Sequence, residues 1–427
     1  MSPMKRHSTV QDVIDSHSGV APGFGFLRHA LAVVIILYHT YNITFGRDAN
    51  PGYAKGELIA NWSELGATQF AIEVLRPGLF ALVGAFFALS GFLVAGSALR
   101  TKSVRVFLSF RVLRILPALL TEVTLSALVL GPIVTVHSLS QYFSGSEFYH
   151  YFGNILGIVR YTLPGVFVDN PRANFVNANL WTLPAEFYCY LVLAALMGVG
   201  VFFQRRLYNW AFVLGTVALL ALPPLWGLSP RADNTHYSVY YIVYLFFVGA
   251  LFYLYAHIIP VRLGMFAISG LGYYVLTLVG GFDLLAGFLL VYCVVYLGVC
   301  EFPTFDKAVR GNDYSYGMYL YGYPISQTII FFLQPLFFWW PGVFRLSTVM
   351  VLSVLCSLLF AVLSWHAVER PALGLKRILI RTPRPARPAA EPAFKVPQPD
   401  LKGAQPALAA AQPALEAAEP ALEARER

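Results

Sequence analysis

An arginine and a histidine stand eleven positions apart in the first apolar segment of the chain, in the stretch RHALAVVIILYHT. Eleven helical steps of about 100° place Arg28 and His39 about 20° apart around the helix axis and about 16 Å apart along it. The two side chains would therefore share one face of a helix. An imidazole can accept a proton from a hydroxyl group, and a guanidinium group binds phosphate or carboxylate oxygens. Such a pair can connect the surface of a membrane with chemistry in its interior.

Each member of this pair also has a simpler interpretation. Arg28 lies at the predicted cytoplasmic end of the segment, where an arginine can anchor a helix at the membrane surface. His39 can be a structural residue whose imidazole is satisfied by one hydroxyl or carbonyl group. The sequence alone leaves both interpretations open.

Two further arginines lie three positions apart in RVLRILP, residues 111–117. This spacing puts Arg111 and Arg114 on one helical face. Their planar, forked guanidinium groups suit phosphate oxygens, so we expect them to bind an anionic, nucleotide-like donor. The earlier Arg100 and Lys102 are better explained as the ordinary positive charge of an inner loop.

A carboxylate follows in NLWTLPAEFYCY, residues 179–190. Glu186 lies within a predicted span, where an ionisable group is costly and is a candidate for function. It can take part in chemistry or simply pair with a cation, and Arg76, Glu73 and Asp313 are further candidates for such a network. The four cysteines lack the spacing of a metal site. We expect them to be small buried residues and expect no metal cofactor.

The composition indicates a membrane protein. Of the 427 residues, 57% are hydrophobic and 12% are charged, whereas soluble proteins carry about 25% charged residues. The net charge of +8 does not indicate nucleic-acid binding, because the cations lie at the ends of apolar runs. We predict an all-α, polytopic integral membrane protein with about ten transmembrane helices. These lie near residues 26–45, 78–98, 112–136, 179–203, 208–226, 238–257, 262–280, 283–300, 314–338 and 346–368.

Lys and Arg predict the orientation of these spans. With the N-terminus inside, cations such as Arg100, Arg205 and Arg262 fall in inner loops and the outer loops hold few. We therefore expect both termini in the cytoplasm and the chain in the cytoplasmic (inner) membrane. Three regions follow: a cytoplasmic segment (1–25), a transmembrane domain (26–372) and a disordered Ala/Pro-rich cytoplasmic tail (373–427). The tail repeats QPAL-like units, and a proline in each unit excludes a continuous helix.

Six stretches occur in an order that resembles acyltransferase family 3, a family of integral membrane acyltransferases. They are the Arg28–His39 segment, FFALSGFLVAG (86–96), RVLRILP, NLWTLPAEFYCY, DYSYGMYLYGYP (313–324) and HAVERP (366–371). The resemblance implies O-acylation, usually O-acetylation, of a hydroxyl group on a glycan such as a polysaccharide, or on a small molecule, at the outer side of the bilayer. The implied donor is cytoplasmic acyl-CoA, most often acetyl-CoA. Many family members also carry an extra span and a fused outer esterase-like domain, and the short tail leads us to expect the form that lacks this domain.

The resemblance further implies roles for individual residues. Arg28 and His39 correspond to the essential pair of the family, Arg111 and Arg114 to its second arginine motif, and Glu186 to the carboxylate of its tryptophan-containing motif. Arg28 would then hold the donor and His39 would act as general base on the acceptor hydroxyl. A covalent acyl-enzyme on His39 or Ser90 is the alternative.

The chain departs from the family pattern at one position. Gly322 stands where family members often carry a histidine. Either that position is not needed for chemistry in this protein, or Tyr321 or Tyr323 takes over its contacts.

Two other classes of protein compete with this interpretation. A secondary transporter would also have about a dozen spans with polar residues near the midplane, but it should show an internal repeat, which is not evident here. A lipid-embedded scaffold without chemistry leaves Arg28, His39 and Arg111 unexplained.

Overall fold

The structure is a computed structural model that describes residues 9–17, 19, 21–45, 67–226, 238–309, 311–336, 339 and 342–376, and for residues 67–73 the backbone alone. The chain divides into two units, residues 1–380 and 381–427, and every described residue belongs to the first. Nearly all of the predicted disordered tail therefore lies outside the described residues, as do residues 1–8 of the N-terminal segment.

The described residues form helices and no strand. The α-helices are α1 (Val10–Ser16), α2 (Phe24–Phe45), α3 (Ala67–Thr101), α4 (Val104–Leu125), α5 (Gly131–Val134), α6 (Leu139–Ser144), α7 (Ser146–Tyr151), α8 (Thr182–Gly198), α9 (Arg205–Ala221), α10 (Val239–Leu254), α11 (Leu263–Val279), α12 (Asp283–Val299), α13 (Pro303–Val309), α14 (Ser315–Leu333), α15 (Gly342–Ser364) and α16 (Arg370–Gly374). Short 3₁₀ helices cover Phe152–Leu156, Ala178–Trp181, Val201–Phe203 and Pro223–Trp226, and π-helical turns cover Ser126–Leu130 and Trp365–Glu369.

Within the described ranges, six helical segments are long and apolar enough to cross a membrane. They are Phe24–Phe45, Val74–Thr101, Val104–Val134, Ala178–Gly198, Arg205–Leu225 and Gly342–Gly374. The pair α12 and α13, bent by 74°, would make a seventh. Large apolar side chains on these segments are exposed, for example Leu214 (65%) and Leu355 (57%), as expected for surfaces that contact lipid. The all-helical, multi-pass fold is confirmed, whereas the number of ten spans and the positions of the termini stay predictions.

Helix α3 begins earlier than the predicted second span. It starts at Ala67, and Pro77 lies inside it. Hydropathy detects only the apolar part of a helix, and the first turns of α3 contain Glu73, Arg76 and Pro77. The prediction therefore missed the polar beginning of the helix.

Two glycines bring α3 and α10 into backbone contact. A Cβ atom on Gly91 would lie 1.8 Å from the carbonyl oxygen of Phe246, and one on Gly249 would lie 2.1 Å from that of Ala88. Small residues allow such close approach between membrane helices, where packing supplies much of the association energy. The contact fixes α3 and, with it, Ser90, the neighbour of Gly91.

Helices α2 and α14 run in the same direction. The first turns of α2 contact the residues just before α14, since Tyr314 N–H donates to His29 Nε2 at 3.1 Å. Further along both helices, Thr40 Oγ1 lies 3.1 Å from Ser326 Oγ. The start of α2 therefore lies beside the start of α14, and the two helices stay in contact as both continue in the same direction.

A proline in α14 fixes the preceding loop. Pro324 has no N–H, so the carbonyl of Leu320, four residues earlier, has no helical donor. Asn177 Nδ2 donates to that carbonyl at 2.9 Å. Asn170 Nδ2 also donates to the carbonyl of Gln327, at 3.0 Å. These amides hold the loop of residues 157–177 against α14.

The segments predicted to face the cytoplasm lie together at one end of the bundle. The backbone N–H groups of Val10 and Gln11, in α1, donate to carbonyls between α10 and α11. Near them, Arg205 Nη1 lies 3.2 Å from His257 Nε2. The end of the bundle formed by α1, Arg205 and the residues between α10 and α11 is hereafter called the basic end.

Candidate active site

A cavity of about 160 Å³ lies among α2, α3, α4, α8 and α14. Its lining includes the charged residues Arg28, Arg111, Arg114 and Glu186. The structure therefore brings together four of the five residues predicted from the sequence to be functional. The fifth, His39, is not among the lining residues.

Asp313, immediately before α14, joins two of the arginines. Its Oδ2 atom lies 3.2 Å from Arg28 Nη1 and accepts a hydrogen bond of 2.7 Å from Arg114 Nη2. Burial alone would raise the pKa of the Asp313 carboxyl, but Arg114 and Arg28 outweigh burial and hold that pKa well below its usual range. Asp313 thus provides a negative charge between two cations at neutral pH.

Arg114 has a second carboxylate neighbour. Its Nη1 atom lies 3.7 Å from Oε2 of Glu369, which is buried at 2% exposure. Glu369 ends the π-helical turn Trp365–Glu369, and Ser364 Oγ donates to its Oε1 at 3.2 Å. Such π-helical turns are rare and frequently occur at functional sites. Arg114 is therefore held from two sides by Asp313 and Glu369.

Arg111 has a different environment. Its Nη2 atom donates to Ser97 Oγ at 2.7 Å, and its guanidinium carbon lies 5.5 Å and 5.7 Å from the ring centroids of Phe107 and Tyr190. No carboxylate oxygen within the described part of the chain lies within 4 Å of it, and its buried Nε lacks a hydrogen-bond partner there. Of the two motif arginines, only Arg114 has carboxylate oxygens within 4 Å among the described residues, so Arg111 is the better candidate to bind an anion.

Two hydroxyl groups hold the carboxylate of Glu186. Ser90 Oγ donates to Glu186 Oε1 at 3.0 Å, and the hydroxyl of Tyr190 donates to the same oxygen. The two hydroxyl oxygens lie 3.2 Å apart. The carboxylate can take a proton from Ser90, so the acyl-enzyme alternative at that residue has a geometric basis.

His39 lies further along the same continuous helix as Arg28. Its ring is 5.3 Å from that of Tyr323 and 5.5 Å from that of Tyr38, between centroids. Arg172, on the loop before α8, is close enough to interact electrostatically with His39 and Tyr323. Arg28 and His39 both contact α14 or the residues that precede it, as the predicted common face requires.

The Acyltransferase domain family matches residues 23–362 of this chain. The chain belongs to acyltransferase family 3. The family 3 protein is thus an enzyme that transfers acyl groups. Its apolar helices make it a multi-pass membrane protein.

Two curated relatives agree with this assignment. An O-acetyl transferase of Shigella phage Sf6 is 29% identical over 302 residues, which cover 67% of this chain and 82% of the relative. Nodulation protein 10 of Rhizobium leguminosarum bv. viciae is 24% identical over 408 residues, which cover 89% of this chain and 98% of the relative. No solved structure matches. The family and the O-acetyl transferase relative together support an O-acyltransferase.

The position at which this family 3 chain departs from the family pattern is tightly packed. A Cβ atom on Gly322 would lie 2.7 Å from Ile36 Cγ1, so a histidine does not fit without rearrangement. Tyr321 donates its hydroxyl to Ser364 Oγ at 3.2 Å. Tyr323, by contrast, contacts the ring of His39. Of the two tyrosines proposed as substitutes, Tyr323 is the neighbour of His39.

Two residues of this family 3 site were missed from the sequence. Glu369 lies in the stretch HAVERP (366–371), and a carboxylate at the end of an apolar segment could have identified it as a candidate functional residue. His29 gave no signal. Its Nε2 accepts the N–H of Tyr314, so the proton is on Nδ1, which donates to the carbonyl of Gly25 at 2.8 Å. His29 thereby positions the backbone next to Asp313.

Proposed function

We propose that this enzyme transfers an acyl group, in the first instance acetyl, from cytoplasmic acyl-CoA to a hydroxyl group of a glycan or glycan-like acceptor at the outer side of the membrane. The observation that carries this proposal is the cavity that gathers Arg28, Arg111, Arg114 and Glu186. It combines three cations with an oriented carboxylate among apolar helices.

The proposal assigns the donor to this cavity. Acyl-CoA is a polyanion whose phosphates suit guanidinium groups. Arg28 and Arg114 contact Asp313, whereas no carboxylate oxygen of the described residues lies within 4 Å of Arg111. In this proposal, Arg111 binds a donor phosphate directly, and Arg28 and Arg114 shape the cavity and add to its positive potential. Residues at the basic end then face the cytoplasm, where acyl-CoA is found.

The proposal places the acceptor near the C-terminal half of α2, away from Arg28. His39 lies about three helical turns beyond Arg28, which supports a role closer to the outer side. An alcohol has a pKa far above neutrality, so its attack on a thioester needs a base, and an imidazole suits this task. The acceptor proton passes to His39 as the acceptor oxygen bonds to the thioester carbonyl carbon. The carbon–sulfur bond then breaks, and the thiolate of coenzyme A leaves and takes up a proton.

The competing hypothesis, a secondary transporter without acyl-transfer chemistry, does not account for membership of an acyltransferase family. It also gives no reason for a carboxylate oriented by both Ser90 and Tyr190. A transporter should bind a solute without cleaving acetyl-CoA.

The test is to follow purified enzyme in lipid nanodiscs with acetyl-CoA labelled in the acetyl group. We expect release of coenzyme A, and label transferred to glycan extracted from cells that lack the gene. Mass spectrometry of the cell-envelope glycans, with and without the gene, identifies the acceptor. The proposal is wrong if the wild-type enzyme neither binds nor cleaves acetyl-CoA while it remains folded and monodisperse.

A further inference from the structure

A lysine beyond the last long helix lies beside the second arginine motif. Helix α16 packs against α4, and Lys376 lies two residues beyond the end of α16. Its Nζ atom lies over the ring of Phe110, 5.1 Å from the centroid. Phe110 immediately precedes Arg111, so the chain returns to α4 at the level of the donor cavity.

Lys376 is half-buried near two other positively charged side chains. Burial first, and then Arg111 and Arg114, lower the pKa of its ammonium group to about 8. Arg114 is compensated by Asp313 and Glu369, whereas Arg111 and Lys376 have no carboxylate oxygen within 4 Å among the described residues. Lys376 contacts the residue next to Arg111, and an anion bound by both cations would offset the repulsion between them.

We propose that Lys376 and Arg111 together bind a phosphate group of the donor, an inference that rests on acyl-CoA being the donor. A guanidinium fork and an ammonium point charge are complementary ligands for one phosphate. Lys376 then extends the donor site beyond residue 372, the predicted end of the transmembrane domain.

Three sources can supply such a phosphate. Coenzyme A carries both a diphosphate and a 3′-phosphate, and an anionic lipid headgroup carries the same chemistry. The partial burial of Lys376 against Phe110 favours the donor, because a lysine that anchors a helix to headgroups extends away from the protein.

The experiment measures coenzyme A binding by calorimetry to the full chain in nanodiscs of uncharged lipid. The variant is Lys376→Gln, and the matched control is Lys307→Gln, which removes an exposed lysine from α13. We expect Lys376→Gln to weaken binding about tenfold, the range for one charge-assisted hydrogen bond, and Lys307→Gln to leave it unchanged. Lys376→Arg should restore most of the affinity.

Binding of 3′-dephospho-coenzyme A distinguishes the two phosphates. If Lys376 binds the 3′-phosphate, wild type and Lys376→Gln should bind this ligand equally. If it binds the diphosphate, the tenfold difference should persist. Both results support the inference.

Two results would overturn it. One is equal coenzyme A affinity of the Lys376→Gln and Lys307→Gln variants, with melting temperatures like that of the wild type. The other is a difference that appears only in nanodiscs containing phosphatidylglycerol, which would assign Lys376 to a lipid headgroup. Failure of the wild type to bind coenzyme A would instead refute the proposed function, and this inference with it.

Discussion

The imidazole of His39 packs edge-on against the ring of Tyr323, with centroids 5.3 Å apart and planes inclined by 72°. Arg28, on the same helix, contacts Asp313, ten positions before Tyr323 in the chain. One parallel helix pair therefore carries both ends of the proposed reaction. The donor-side cation and the candidate base are held by successive parts of α14 and the residues that precede it.

We predict that His39→Gln lowers acyl transfer by about 10²-fold or more. Glutamine keeps a similar volume and hydrogen-bonding capacity but cannot accept the acceptor proton. Coenzyme A binding should be preserved, because the arginines of the cavity are unchanged. Transfer rates and binding are measured on variants matched for membrane abundance. Near-normal turnover by this variant would reduce His39 to a structural residue and leave Glu186 as the next candidate.

The rate of the wild-type enzyme should fall once the pH is low enough to protonate the imidazole of His39, since a protonated ring cannot act as base. Asp313 should not contribute to this fall. Its pKa is lowered by Arg114 and Arg28, so the stability it contributes is present above the ordinary carboxyl pKa of about 4 and is lost only at still lower pH. The melting temperature should therefore show no loss from Asp313 between about pH 5 and 7. If the melting temperature falls in parallel with the rate, the loss of activity at low pH is caused by unfolding.

The two motif arginines should respond differently to substitution. Arg111→Lys keeps the charge but loses the fork, so we expect weaker coenzyme A binding with normal thermal stability. Arg114→Ala should lower stability by about 3 kcal/mol, because it removes a partner from the buried carboxylates of Asp313 and Glu369. Calorimetric binding and thermal melting separate the two effects. Normal donor binding by Arg111→Lys would make Arg111 an ordinary membrane anchor.

Ser90→Ala distinguishes direct transfer from an acyl-enzyme. If His39 activates the acceptor directly, loss of the Ser90 hydroxyl removes one hydrogen bond to Glu186 and should reduce the rate by no more than about tenfold. If Ser90 carries the acyl group, activity should disappear. Mass spectrometry of enzyme quenched during turnover provides a second measurement, and an acetylated Ser90 peptide would contradict direct transfer.

The predicted orientation can be tested with a reporter that is active only outside the cytoplasm. Fused after Arg381, it should be silent, because Lys and Arg at the basic end are expected to remain inside. The control fusion follows Ile158, in the loop before α8, and should be active. An active reporter after Arg381 would contradict the proposed topology.

The sequence was sufficient to identify the residues that need a partner, but not the partners themselves. Arg28, Arg111, Arg114 and Glu186 were recognisable because a charge in an apolar helix is costly and therefore unusual. Their pairing depends on contacts between segments far apart in the chain, and Arg114 and Asp313 are separated by 199 residues. No local pattern encodes such a contact.

Helix boundaries were predictable to the extent that they coincide with apolar runs. The end of α2 was recovered, whereas the polar start of α3 was not. The π-helical turn that carries Glu369 was not predicted, because hydropathy does not distinguish a π-helical turn from an α-helix. The close contacts of Gly91 with Phe246 and of Gly249 with Ala88 likewise depend on two helices meeting.

The hydrogen bond between Asn177 and the carbonyl of Leu320 has a consequence for biogenesis. The two residues are 143 positions apart, and α14 is synthesised long after the loop of residues 157–177 has emerged. The carbonyl of Leu320, which accepts the hydrogen bond from this loop, is not in place until α14 has formed. The loop, and with it Arg172 beside His39, therefore reaches its final form late in assembly. Under the proposed function, nascent chains that end before α14 would therefore lack the completed loop on the side of His39.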